Sequence, residues 1–279
     1  MSAPAPRDVL RKGARRLMAL VPPDRRAKGL GGARGRRVLQ LRKLVAPVLQ
    51  RPVVLTAASG ARLRITADPV DEQIAHHLLG SSRGDYFPDW PGRRPAAPFI
   101  LDIGAHHGLY AVCALREYPG SRIVCVEPSR DAIDALRANL ALNGCTGRAR
   151  IVAAALAPAD GSAELRHTSD GTWGFSLYED AADAIGGETV RLETLDAILA
   201  GETPDIVKCN AEGAEYTLVE QLAARPERPA LMTIMVHPAF GDMDALLATA
   251  RSMGYEVTPV GTDDRPAFRM WHVAARDAS

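Results

Sequence analysis

The sequence predicts an α/β protein built on a parallel sheet with helices on both faces. Three observations predict it. From Phe99 onward, short apolar runs alternate with segments of helical spacing; the first run ends in a turn punctuated by glycine, Asp102-Ile-Gly104-Ala-His-His-Gly108; and the second run closes on an acid, Glu127. Strand–helix units of this length pack as parallel strands covered by helices.

Taken in order, residues 1–50 form a basic extension. They carry 13 Lys and Arg against Asp8 and Asp24, a net +11 in a chain of net +1, which leaves −10 for the remainder. Two short helices are expected there, interrupted by Pro22-Pro23 and a Gly/Arg loop. Such an arm suits an anionic partner or a solvated appendage packed on an acidic body. It contains no aromatic residue to stack on bases, and the rest of the chain is net acidic, so nucleic acid is not expected as a partner. Residues 51–98 read as a β-hairpin (Val53–Ala57 and Ala61–Thr66 around Ser59-Gly60), a helix from Asp71 to Leu79, and a proline-rich loop over the site. Residues 99–279 form the main domain. Its strands are expected at Phe99–Ile103, Arg122–Glu127, Arg150–Leu156, Ile206–Cys209, Leu231–Val236 and Tyr255–Thr258. Helices are expected from Gly108, Ser129, Ala214 and Asp242.

Composition narrows the class further. A chain of 279 residues can bury a full core. It has no eighteen-residue apolar stretch and no apolar segment leading to a small-residue cleavage site, so neither a transmembrane helix nor a signal peptide is expected. Cys113, Cys125, Cys145 and Cys209 lack metal-ligand spacing and read as buried thiols in a reducing, cytoplasmic compartment. No metal ligand is assigned.

The glycine turn points to a nucleotide-type ligand at the carboxyl ends of the strands, where open α/β sheets bind them. A dinucleotide fold uses Gly-x-Gly-x-x-Gly so that pyrophosphate rests on a helix N-terminus. Here Asp102 stands where that motif has its first glycine. A carboxylate facing the pocket would repel pyrophosphate and could pair with the ammonium of a methionine moiety, which favours S-adenosylmethionine over NAD. Gly104 would let the backbone turn closely beneath the ligand, and Gly108 would let the next helix start tight against the sheet. Glu127, 23 residues beyond Gly104, stands where such folds place an acid on ribose hydroxyls.

Together with Pro204-Asp-Ile-Val-Lys-Cys-Asn-Ala-Glu-Gly-Ala-Glu215, Thr194-Leu-Asp196, Gly174-Phe-Ser-Leu177 and Val236-His-Pro238, these residues make the chain resemble the FkbM methyltransferases over about residues 55–265. The resemblance implies a class I methyltransferase fold with a seven-stranded sheet, S-adenosylmethionine as cofactor, and O-methylation of a small molecule or sugar. It implies cofactor contacts from Asp102, Gly104, Ala105, His106, Gly108, Tyr110, Glu127, Pro128, Ser129, Ala154 and Asn210. Two departures stand out: Asn210 replaces an expected Asp, and Met235 an expected Glu. Neither an amide nor a thioether serves as a general base, and both bind hard divalent metals less well than carboxylates, so a metal-independent reaction is expected.

His237, at a strand's carboxyl end, is the candidate general base or else a structural histidine. Glu212 is the second candidate, and Asn210 a hydrogen-bonding group beside the methyl donor. Glu215 reads as structural, as does Lys208, paired with Glu212 or Asp205. His106 and His107 are expected to act through their backbone. Trp173, Phe175 and the Tyr86–Trp90 segment read either as walls of an acceptor pocket or as core. A repurposed binding subunit, an N- or C-methyltransferase, and a homodimer stay open as alternatives.

Overall fold

The computed structural model describes residues 52–260 and 269–275, apart from 58, 67–70, 72–73, 76, 79–82, 169–170 and 177–183. The basic arm and its two expected helices lie outside the described residues.

β1 (Val53–Thr56) and β2 (Arg62–Ile65) form the expected antiparallel hairpin. Asp71, Ile74, Ala75, His77 and Leu78 are helical, and the proline-rich segment contains one helical turn, α1 (Arg83–Tyr86). The main domain then follows. β3 (Phe99–Ile103) leads to α2 (Leu109–Glu117), β4 (Arg122–Val126) to α3 (Arg130–Leu142), and β5 (Ala149–Val152) closes that half. Its second half holds α4 (Leu195–Leu199), β10 (Ile206–Cys209), α5 (Ala214–Ala223), β11 (Leu231–Val236), α6 (Met243–Ser252), β12 (Tyr255–Pro259) and β13 (Arg269–Ala275). Seven strands make one sheet in the order β12-β13-β11-β10-β3-β4-β5. β13 runs antiparallel to both neighbours, and the pairs from β11 to β5 are parallel.

Side-chain alternation divides the core into two layers. Phe99, Leu101, Ile103, Val207 and Cys209 join α4, α5 and α6 on one face; Ile100 and Ile206 join the hairpin, α2 and α3 on the other. β3, β10 and β11 are buried along their whole length, which is why they read as unbroken apolar runs. α2 is buried from Leu109 to Leu115, because it lies between the sheet and the hairpin. α3 starts on a Ser129 cap whose hydroxyl accepts from Ala132 N–H and whose first turn holds Asp131.

The hairpin docks on α3 through two carboxamides. Asn139 Oδ1 accepts from Arg64 N–H (2.7 Å), and its Nδ2 donates to the carbonyls of Arg64 (3.2 Å) and His107 (2.8 Å). Asn143 repeats the pattern one turn later, with Oδ1 on Arg62 N–H (2.8 Å) and Nδ2 on the Arg62 carbonyl (2.7 Å). Positions four apart on a helix thus satisfy positions two apart on a strand.

The structure corrects the sequence reading in two places. The expected strand Arg150–Leu156 is broken in two. β5 ends at Val152, and β6 (Ala155–Leu156) leaves the main sheet to pair with β9. β6 belongs to a second, four-stranded sheet of order β6-β9-β7-β8, formed with β7 (Gly161–Thr168), β8 (Gly171–Ser176) and β9 (Ala184–Glu193). That sheet and β13 were not foreseen. The period-2 signal was nonetheless present: Ala163 and Leu165 alternate with Glu164 and Arg166, and Val190 and Leu192 with Arg191 and Glu193.

Candidate active site

The carboxyl ends of β4, β3, β10 and β11 lie side by side, and they bring forward Glu127, Gly104, Asn210 and His237 respectively. The chain direction of the crossovers reverses between β3 and β10, the position where doubly wound sheets open a crevice.

The glycine turn is held from below and from the side. Gly104 and Ala105 N–H both donate to the Val126 carbonyl (3.0 Å each). Gly104 (φ +71), His106 (φ 49) and Gly108 (φ 75) are left-handed. A Cβ on Gly104 would overlap the Asn210 carbonyl oxygen and lie 2.9 Å from its carbon. Glycine is therefore required here by the backbone just beyond the neighbouring strand β10. A Cβ on Gly108 would collide with Leu136 of α3, in keeping with the tight helix start expected.

Glu127 is buried and serves the same turn. Its Oε2 accepts from His106 N–H (2.7 Å) and its Oε1 from Ser129 N–H (3.0 Å). Burial raises its pKa, and these two hydrogen bonds offset part of the rise. Pro128 links it to the α3 cap. Asp102 does not project into a pocket, as the sequence had suggested. It is fully enclosed, with Lys208 Nζ 2.8 Å from Oδ1. The two are register partners on adjacent parallel strands, so alternation places both side chains on one face. Lys208 thus pairs with Asp102, not with Glu212 or Asp205, and it also donates to the Gly104 carbonyl (2.6 Å). Burial pushes the Asp102 carboxyl up and Lys208 pulls it partly back. Asp102 Oδ2 has no hydrogen-bond partner among the described residues.

Tyr110 is buried with its ring stacked on Phe87 (5.3 Å between centroids, 10° between planes) and tilted against Tyr86 (6.0 Å). Tyr86 and Phe87 are therefore core rather than pocket wall, and Trp90 packs partly buried against the same layer. Ala154 is wholly enclosed in the opposite layer. The side chains of Trp173 and Phe175 lie outside the described residues.

On the other side of the crevice stands a pair that the sequence reading did not join. Glu215, the second residue of α5, is fully buried. Its Oε2 accepts from Gly213 N–H (2.9 Å), closing the helix N-terminus. Its Oε1 accepts from His237 N–H (2.7 Å) and lies 3.0 Å from His237 Nδ1. A carboxylate acceptor at Nδ1 selects the tautomer with its proton there and its lone pair on Nε2. Tyr216 Oη donates to the carbonyls of His237 (3.1 Å) and Gly241 (2.9 Å), fixing the same turn. Glu215 thus closes the start of α5, and Glu212 is half-buried one residue before Gly213. Met235 is buried. Asn210 is half-buried, and its N–H donates to the Ile103 carbonyl (3.1 Å).

A seven-stranded sheet of this order, with its penultimate-position strand reversed and a glycine turn after β3, is the class I methyltransferase fold. The family described as the methyltransferase FkbM domain matches residues 102–257, and the chain belongs to that family. Among curated relatives, methyltransferase sdnD of Sordaria araneosa is 27% identical, over 45% of this chain and 61% of that protein, so the chain spans about three fifths of that relative's length. Similar solved structures include methyltransferase FkbM from Methylobacillus flagellatus, at 14% identity and a TM-score of 0.45 over 73% of this chain and 53% of that one. The METTL16 methyltransferase domain aligns at 12% identity and a TM-score of 0.49, covering 87% and 79%. M. capricolum TrmK in complex with S-adenosyl-homocysteine aligns at 13% and 0.40, covering 71% and 70%. Among the described residues, no helix is long and apolar enough to cross a membrane.

Proposed function

We propose that the chain is an S-adenosylmethionine-dependent O-methyltransferase acting on a hydroxyl of a small natural product or sugar, with His237 as general base. The observation that carries the reading is the Glu215–His237 pair, set on the same edge of the sheet as Glu127 and the glycine turn. S-adenosylmethionine supplies an electrophilic methyl carbon when bound. The residues present suit it: Glu127 keeps acceptor capacity for ribose hydroxyls beyond its two N–H partners, while the enclosed Asp102–Lys208 pair braces the turn from beneath. Asn210, half-buried just beyond β10, adds a residue with a side-chain amide at the same edge of the sheet.

Methyl transfer needs alignment more than acid–base power, and positioning alone can contribute about 7–11 kcal/mol. A hydroxyl acceptor must still lose a proton. His237 takes it at Nε2, while Glu215 holds the ring and balances the positive charge that develops on it. Asn210 and Met235 offer no carboxylate to a hard metal at the acceptor side, which supports a metal-independent transfer.

Calorimetry with S-adenosylhomocysteine, followed by turnover on a panel of hydroxylated acceptors, tests the proposal. It fails if the wild type does not bind the thioether product, or if Glu127→Ala binds it as tightly as wild type. The same two missing carboxylates motivate a second reading, a binding subunit that has lost catalysis. That reading is favoured if cofactor binds yet no hydroxyl, amine or carbon acceptor turns over.

A further inference from the structure

We propose that Asp71, His106 and His107 bind a borderline divalent cation, Zn2+ being the ion to test, which ties the segment before the main domain to the glycine turn. Each of the three offers one donor atom, a ring nitrogen or a carboxylate oxygen, and these atoms lie within 4.8 Å of one another. Asp71 is fully buried, His107 nearly so and His106 half-buried. Neither the family assignment nor the methyl-transfer chemistry calls for a ligand set here, and the sequence shows none, because Asp71 is 35 residues from the first histidine.

The geometry is unusual for two adjacent residues. Neighbouring side chains ordinarily diverge, but the left-handed backbone at His106 (φ 49) turns its ring onto that of His107, with centroids 3.7 Å apart and planes 20° from parallel. Holding a non-glycine residue there costs on the order of 1 kcal/mol or more. Both Nδ1 atoms then face one carboxylate oxygen, at 2.7 Å for His107 and 3.7 Å for His106. The first distance is a hydrogen bond, while the second is too long for one. Ligands of a tetrahedral Zn2+ with bonds of about 2.0–2.1 Å lie about 3.3 Å apart, between these two values. Two histidines on one tetrahedral ion have ring centroids about 5 Å apart, so the rings would swing out of their stack about χ1 and χ2 to bring all three donors onto a metal, and the proton shared by His107 and Asp71 would leave to solvent.

The donors are also held from behind. Asp71 Oδ2 accepts from Thr66 N–H (2.6 Å), the His107 carbonyl accepts from Asn139 Nδ2 (2.8 Å), and His106 N–H is fixed by Glu127 (2.7 Å). Such outer contacts orient ligands and raise affinity. Nitrogen and carboxylate donors of this kind suit Zn2+ better than Mg2+ or Ca2+, which favour all-oxygen sites.

The test uses the whole chain, stripped with chelator, dialysed and titrated with ZnCl2 by calorimetry, with Co2+ absorption in parallel. The expected result is one equivalent bound per chain, with a Co2+ spectrum free of thiolate charge transfer. His106→Asn, whose asparagine tolerates the left-handed backbone, should weaken binding at least about tenfold, since even outer-shell changes cost about 10–100-fold. Asp71→Asn should do the same. No stoichiometric uptake by the wild type, a thiolate band, or undiminished uptake by both variants would overturn the proposal. The Co2+ spectrum decides on the wild type alone if a variant misfolds.

Discussion

Glu127 and Glu215 are both enclosed carboxylates at the same edge of the sheet, one on each side of the β3–β10 switch point, and they are held in different ways. Each oxygen of Glu127 accepts a main-chain N–H, one from His106 and one from Ser129. Glu215 spends one oxygen on the Gly213 N–H and gives the other to both the backbone and the ring of His237. A carboxylate bound only by amides fixes the shape of a loop. One bound to an imidazole also sets where a proton can go. On the proposed function, the difference divides the crevice into a side that would grip the cofactor and a side that would react.

The division can be broken most completely at Gly104. Gly104→Ala sets a methyl group against the Asn210 carbonyl, on a left-handed backbone, and should abolish S-adenosylhomocysteine binding by calorimetry. Measurable binding would show that β10 can retreat from the turn. The next largest effects separate the two glutamates. His237→Asn should lower kcat by about 10²–10⁴-fold, the usual worth of a positioned base. Glu215→Gln should lower kcat in the same direction and alter its pH profile, with cofactor affinity within about twofold of wild type. Glu127→Gln should do the reverse: hydrogen bonds to a charged acceptor contribute about 1.5–3 kcal/mol, so product affinity should fall tens-fold while kcat at saturation changes little. If both variants lose affinity and turnover together, the two sides are one unit.

Asn139→Ala probes the scaffold beneath the grip. It leaves the buried His107 carbonyl and the Arg64 peptide groups unpaired, at a cost of about 1–3 kcal/mol each where water cannot reach them. Thermal unfolding should fall by several degrees, and the Arg64 amide should lose hydrogen-exchange protection.

The smallest effect concerns Asp102. Because burial outweighs Lys208 and raises its pKa, the folded state holds its proton more tightly than the unfolded chain does. Its contribution to stability is then greatest below the ordinary carboxyl range and shrinks as pH climbs through the raised value. Denaturation of wild type and Asp102→Asn across that window should show wild type losing ground to the variant as pH rises. A difference of opposite sign would mean that Lys208 dominates over burial.

Much of the main sheet was legible in the sequence because β3, β10 and β11 are buried on both faces and carry unbroken apolar runs. The second sheet was not foreseen, although Glu164-Leu165-Arg166 and Val190-Arg191-Leu192 alternate at period two, since it interrupts the βα rhythm that framed the reading. The glycine turn and Glu127 were legible from spacing. The partner of Asp102 was not named, although alternation in β3 and β10 puts Asp102 and Lys208 on one face once the two strands are paired. Glu215 was read as structural because helix position alone gives no sign that its carboxylate reaches 22 residues onward to His237. The Asp71 cluster joins residues 36 apart through tertiary packing, which no local pattern encodes.

The carboxamide pair on α3 has a consequence for how the chain comes into being. β2 presents an open edge, and the groups that close it, Asn139 and Asn143, arrive 75 and 81 residues later. At a synthesis rate of about 5–20 residues per second, the hairpin waits on the order of 4–16 s before its edge can be zipped. During that interval the nascent strand resembles any unpaired edge that invites a foreign strand, and the two asparagines act as a late, built-in lock against such mispairing.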